Sequence, residues 1–245
     1  MSISTSLKEM VSQYCYRIEM HAHSYPASSC AKMTGEELIE ELHAHGYHGV
    51  VLTNHYIPVP LTEEWVKDFL DAFEEAKAAA QKYGMTVYYG MEMTFWDAPS
   101  ECLIYGDMDE ELLRVMAEEE NPTFASVYQK LRSPDRLFIQ AHPFRDYGTD
   151  DPQVPLSPEM IDGIEAYNMS ITANNCVHLA VEYANRHQIP IITSGSDLHA
   201  KDQVGATAIL TKTMPKTTRE LVAILRSRDY LLEISGKPLI PYDFL

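Results

Sequence analysis

The segment Arg17-Ile18-Glu19-Met20-His21-Ala22-His23-Ser24 sets a carboxylate and two imidazoles at alternate positions. Tyr14 to Met20 reads as a strand leading into them. Side chains two apart on a strand share a face, so Glu19, His21 and His23 point the same way. Two imidazoles so placed can hold one metal ion. Further along the chain stand His55, Glu92, His142, Asp197 and His199. Imidazole and carboxylate donors suit Zn, Mn or Fe. This set exceeds the needs of one four-coordinate ion, which points to two or three divalent ions with Glu92 as the natural bridge. Clustered ions lower the pKa of a bound water and stabilise charge growing on a phosphoryl or carbonyl group.

Each motif alone has a plainer reading. His43-Ala44-His45 repeats the spacing on an expected helix, where residues two apart do not face each other, so it reads as a surface pair. His48 reads as solvated loop, and His178 and His187 as packing or surface residues of a helix. His142-Pro143 alone fits a capped strand end. Asp197 and His199 alone fit a helix cap and a loop residue. The joint pattern argues for a site, because most of these motifs end an apolar strand.

The elements that would position them alternate. After the first strand and a Ser/Pro loop, Thr34-Gly35-Glu36-Glu37 looks like a capping box opening a helix to about His45. Strands are expected at Gly49 to Thr53, Met85 to Met91, Cys102 to Tyr105, Leu137 to Ala141, Ile164 to Tyr167, Pro190 to Thr193, Ala206 to Thr211 and Tyr230 to Ile234. Helices are expected from Thr62 to about Tyr83, Asp109 to Glu119, Thr123 to Arg132, Ala173 to His187 and from Thr217, with a short one at Ser157-Pro158. Such alternation implies a parallel sheet covered by helices. In a closed α/β barrel the strand ends converge on one face, so residues distant in sequence meet there. An open doubly wound sheet is the alternative, weakened by the lack of a Gly-rich phosphate loop.

The 245 residues suffice for one large barrel or two small domains, and no linker divides them, so residues 1–245 read as a single barrel domain. A net charge of −17, with no basic block, argues against nucleic acid or an anionic membrane as the main partner. An anionic small molecule stays compatible, since bound cations invert the local field. No apolar run reaches membrane-span length, and the N-terminus lacks a signal-like apolar core. Cys15, Cys30, Cys102 and Cys176 are scattered and read as reduced thiols of a cytoplasmic protein. Nothing in the sequence sets an oligomeric state.

Taken in order, Glu19-Met20-His21-Ala22-His23-Ser24, Leu52-Thr53-Asn54-His55, Gly90-Met91-Glu92, Gln140-Ala141-His142-Pro143, Ile164-Glu165-Ala166-Tyr167-Asn168 and Gly195-Ser196-Asp197-Leu198-His199 resemble the polymerase-and-histidinol-phosphatase (PHP) family of metal-dependent phosphoesterases. The resemblance runs from about Tyr16 to His199. It implies an α/β fold, a distorted (β/α)7-type TIM-like barrel, with a di- or trinuclear metal site. It places His21, His23, Glu92 and Asp197 around a first ion, Glu92 and His142 at a second, and His55 and His199 at a third. The chain departs from the family in three places. The loop after the first histidines carries Ala27-Ser28-Ser29-Cys30, where Cys30 is either a thiolate ligand or a buried apolar thiol. A family histidine is missing near Glu101 and Asp107, either of which is a substitute. Asn54 replaces an aspartate and would support the ligands from behind.

The implied reaction is hydrolysis of a small-molecule phosphomonoester, histidinol-phosphatase-like, by a metal-activated hydroxide. Arg145 is the candidate phosphate clamp, with a surface ion pair to Asp146 as its plainer reading. Lys32 and Lys201 are further candidate phosphate contacts. Asp197 or His199 would handle the leaving group's proton. Glu165 and Asn168 would orient ligands or substrate, or else bond structurally at a strand end. The alternatives are a phosphodiesterase or nuclease, a C–N hydrolase on a similar barrel, and a non-catalytic metal-binding regulatory module. The loops Tyr56 to Leu61, Thr94 to Ser100 and Phe144 to Pro155, with Phe95, Trp96, Phe144 and Tyr147, would line the mouth.

Overall fold

A computed structural model describes residues 8–56, 63–95, 97–98, 100–117, 121–145, 153–169 and 176–241 of the chain. Asp146, Trp96, Tyr147 and much of the three expected mouth loops lie outside the described residues.

The first strand, β1 (Tyr16–Ala22), shows why alternation matters. Ile18 and Met20 are fully buried in the apolar core, while Glu19 and His21, equally buried, occupy the other face. The remaining strands are β2 (Gly49–Leu52), β3 (His55–Tyr56), β4 (Thr86–Thr94), β5 (Glu101–Tyr105), β6 (Leu137–Gln140), β7 (Gly163–Asn168), β8 (Ile191–Gly195), β9 (Thr207–Thr211), β10 (Tyr230–Ile234) and β11 (Lys237–Leu239). They form one sheet in the order β11-β10-β9-β1-β2-β4-β5-β6-β7-β8, with β3 pairing on β4 off this path.

The expected seven-fold strand–helix barrel is corrected here to a mixed α/β, curled, open half-barrel. Pairing is parallel at β1–β2, β2–β4, β6–β7 and β7–β8, but β5 runs antiparallel to both neighbours. The cause is local. Among the described residues no helix separates β4 from β5, and the two strands pair antiparallel. At the other edge β9, β10 and β11 extend the sheet antiparallel. Among the described residues no continuous ladder joins β8 to β1. Side chains and one bridge span the gap instead. Ala22 pairs singly with Leu198, and Ser194 Oγ donates to Ala208 O at 2.9 Å. The Glu19 carboxylate accepts from Ser196 N at 2.9 Å and from its hydroxyl at 2.6 Å, so a buried side chain stands in for ladder bonds.

Two helices, Gly35–Ala44 and Glu63–Tyr83, pack Leu38, Ile39, Leu42, Phe73 and Ala76 against Val50 and Leu52. Thr34 opens the first of them with the expected capping box, reciprocated by Glu37. Such a cap contributes about 1 kcal/mol. The helices Glu110–Ala117, Phe124–Leu131, Val177–His187 and Thr218–Ser227 pack Leu113, Phe124, Ala180 and Leu221 into a second, larger cluster. Ser157-Pro158 begins a turn instead of the expected short helix. Among the described residues, no helix is long and apolar enough to cross a membrane.

Candidate metal centre

The C-terminal end of β1 delivers His21 and leads directly to His23. The two Nε2 atoms stand 3.1 Å apart. Glu92 comes from inside β4, two residues before its end, one turn of the pleat earlier than the sequence pattern suggests. It is 1% exposed and sits at the middle of the imidazoles. Its Oε1 lies 3.0 Å from His142 Nε2 and 3.3 Å from His21 Nε2. Its Oε2 lies 3.0 Å from His55 Nδ1 and 3.4 Å from His23 Nε2. Asp197, just past β8, puts Oδ1 within 3.5 Å of His21 and 3.4 Å of His23. Its backbone is left-handed, with φ of 52°, which turns the carboxylate inward. His199 lies two residues on, its Nδ1 donating to Asp197 O at 2.8 Å, which leaves Nε2 as the ring's open lone pair.

Three groups of donor atoms result: His21, Glu92, His142 and Asp197; His23, His55 and His199; and His55, Glu92 and Glu101. All seven strand-end donors of the sequence pattern are therefore brought together. His142 stands with His21, Glu92 and Asp197, and His23, which stands with His55 and His199, also lies within 3.4 Å of Glu92 and Asp197. Of the two acidic substitutes, Glu101 lies at the centre, 3.4 Å from His142 Nε2. Asp107 is exposed and outside every group.

The donor chemistry fits divalent transition ions. A neutral imidazole has one lone pair at its bare nitrogen. His21 and His23 aim theirs at each other and at two carboxylates, an arrangement that a shared cation satisfies. The charges respond accordingly. Burial opposes charge on His21, but Glu165, Glu92 and Asp197 outweigh it and hold the imidazole well above its usual range. Burial also works against Glu92 and Asp197, yet His21 and its neighbours hold both carboxyls well below theirs. Burial drives His23 down to about 3. His142 is raised to about 9, because Glu92 prevails over burial. Opposed shifts packed into one cluster are typical of functional sites.

A further shell of hydrogen bonds fixes these candidate donors. Glu165, fully buried on β7, accepts from His21 Nδ1 at 3.0 Å, from His142 N at 3.0 Å and from Asn168 Nδ2 at 2.7 Å. Asn168 thus braces Glu165. Asn54 Oδ1 accepts from Ser24 N and from Ser28 Oγ, and the Ser28 hydroxyl in turn accepts from His55 N. Gln153 was not singled out by the sequence. It lies on an irregular loop, with no periodic pattern to mark it, yet it joins His142 Nδ1 to Glu101 Oε2, each at 2.9 Å.

Arg145 stands at the rim, its Nη1 2.8 Å from Asp197 Oδ2 and its side chain 22% exposed. Lys32 is exposed, with its backbone N–H bonded to His199 O. The Lys201 ammonium pairs with Glu41. His43 is exposed and stacks on Tyr83.

Cys30 is exposed and outside the three groups. Burial of the thiol and the nearby carboxylates push it up, away from thiolate. Cys30→Ser is expected to leave metal content unchanged; loss of one ion per chain would return Cys30 to the ligand set.

No family model matches the sequence, and no curated protein matches it. Solved structures do share the fold. A two-domain protein from Bacteroides vulgatus, described as containing a predicted PHP-like metal-dependent phosphoesterase, aligns over 89% of this chain and 64% of its own, with TM-score 0.61 and 16% identity. An amidohydrolase from Chromobacterium violaceum aligns over 92% of this chain and 98% of its own, with TM-score 0.53 and 16% identity. A lesion-specific endonuclease from Pyrococcus furiosus aligns over 86% and 56%, with TM-score 0.51 and 14% identity. The fold is thus one that PHP-like phosphoesterases and other hydrolases use, and here it carries a buried histidine–carboxylate centre.

Proposed function

We propose that this chain is a metal-dependent phosphoesterase of the PHP type that hydrolyses a small-molecule phosphomonoester. The observation that carries this reading is the sharing of ligands: Glu92 belongs to two donor groups and His55 to two. Shared ligands suit a centre of two or three ions held a few ångströms apart, the arrangement that favours in-line displacement at phosphorus. His21, Glu92, His142 and Asp197 would hold one ion, and His23, His55 and His199 another, with Glu101 completing a third group. When bound, such ions supply hydroxide near neutral pH and a positive field for the phosphoryl oxygens.

The chain's own residues do the rest. Arg145 stands beside Asp197, and its planar guanidinium matches the geometry of a phosphate. Glu165 and Gln153 keep the His21 and His142 rings oriented. Asp197, buried beneath Arg145, and the half-buried His199 are placed to handle the leaving group's proton. The acidic chain favours a small substrate over a nucleic-acid strand. A cytoplasmic location remains part of this proposal, resting on the scattered free thiols.

A substrate panel tests it. Turnover of phosphomonoesters, histidinol phosphate included, should exceed that of phosphodiesters, oligonucleotides and amides. Faster turnover of any of the latter would overturn the substrate class. Arg145→Ala should raise KM for a monoester by about 10–100-fold, the loss expected for hydrogen bonds to a charged group. An unchanged KM would remove its role.

A further inference from the structure

A second cleft lies at the opposite end of the sheet. Tyr128, Arg132, Ser133, Pro134, Arg136, Phe138, Asp162 and Arg226 line a cavity of about 500 Å³. It opens where β6 and β7 begin, whereas the histidine centre lies where strands end. Asp162 immediately precedes β7 and accepts from Phe138 N at 3.0 Å, fixing the cleft's floor. Three arginines meet here in a chain with 19 basic and 36 acidic residues.

Part of their donor capacity is structural. Arg226 bonds Pro134 O, Arg136 O and Asp162 Oδ1 at 3.1, 2.7 and 3.1 Å. Arg136 bonds Leu131 O and Asp107 O. These contacts cap carbonyls, which carry no net charge, so only Asp162 offsets the three guanidinium charges within the lining. Each guanidinium has five N–H donors. Arg136 Nε is buried with no partner among the described residues. Arg132 is exposed, and no carboxylate pairs with it among the described residues. A buried unpartnered donor beside surplus positive charge calls for a missing acceptor.

We propose that this cleft binds a phosphate-type oxyanion, free or carried by a small metabolite, at a site separate from the histidine centre. Arg132 supplies the open fork, Arg136 and Arg226 the pre-positioned charge behind it. Two of the three guanidiniums are already immobilised by their carbonyl contacts, so little further ordering is needed on binding.

Calorimetric titration of the purified full chain at low ionic strength, with inorganic phosphate as probe, tests this. The wild type should show a phosphate-binding component that Arg132→Glu weakens at least about tenfold, as expected when a charge-assisted contact is replaced by repulsion. Arg145→Ala should retain that component, because it lies at the other end of the sheet. Arg132→Glu should keep wild-type metal content and melting temperature, and Arg132→Gln should fall between the two. A non-hydrolysable phosphonate analogue of adenosine 5′-monophosphate as a second probe, read as the component that Arg132→Glu weakens, separates the sources: tighter binding than phosphate indicates a carried phosphate, and equal or weaker binding a free one. Identical titrations for wild type and Arg132→Glu, or loss of all phosphate binding in Arg145→Ala, would overturn the proposal.

Discussion

Glu92→Gln is expected to strip the centre of metal and to abolish metal-dependent turnover. The carboxylate is buried and faces His21, His23, His55 and His142, all within 3.4 Å. Glutamine keeps the shape but removes the charge, and its amide turns an N–H donor toward imidazoles meant to bind ions. Two donor groups lose a member at once. Removing one partner of a buried ion pair costs about 3–5 kcal/mol, because the remaining charges stay buried without compensation. Even loss of a residue that only supports a ligand lowers metal affinity or activity by about 10–100-fold, so loss of a shared ligand should exceed that. Metal analysis and steady-state kinetics on the same preparation check this. Glu92→Gln with wild-type metal content would dissolve the proposed bridge. His43→Ala, on the helix surface, should change neither quantity.

Gly195→Ala is the second large effect, and it acts without touching a ligand atom. A methyl group at this end of β8 would overlap the Glu165 carboxylate and the Cβ of His21. Neither can retreat easily. Glu165 is held by His21, His142 and Asn168, and His21 belongs to the sheet. Overpacking of this kind typically costs about 1–3 kcal/mol. For a chain of this size each kcal/mol lowers Tm by roughly 2–4 °C. The displaced Glu165 would also free the His21 ring to turn, so metal affinity should fall about 10–100-fold. Thermal melts with and without added Zn or Mn measure both effects. A variant that melts and binds metal like the wild type would show that β8 and β7 can separate here at no cost.

That these side chains would meet was readable because the strand period is two and they lie near strand ends. His21 and His23 announce themselves by alternation within an apolar strand, and the Asp197 and His199 pair by following one. The capping box at Thr34 was equally plain. Which donors would share an ion was not readable, because their distances are set by a sheet in which β5 runs antiparallel and Glu19 joins β1 to Ser196. A short apolar run such as Cys102 to Tyr105 does not reveal its direction. Glu19 shows the same limit: its spacing places it on the ligand face, but burial raises it to about 7 and its carboxylate accepts from the backbone N–H groups of Met20, His21 and Ser196. Gln153 was invisible because irregular loops carry no period, and its partners are set only by tertiary structure.

Elemental analysis of the purified, dialysed chain measures whether the histidine–carboxylate cluster is a multinuclear metal centre. About two or three equivalents of Zn, Mn or Fe per chain are expected of a centre with shared ligands. A chain that carries no metal, and takes up none when Zn or Mn is added, would contradict it.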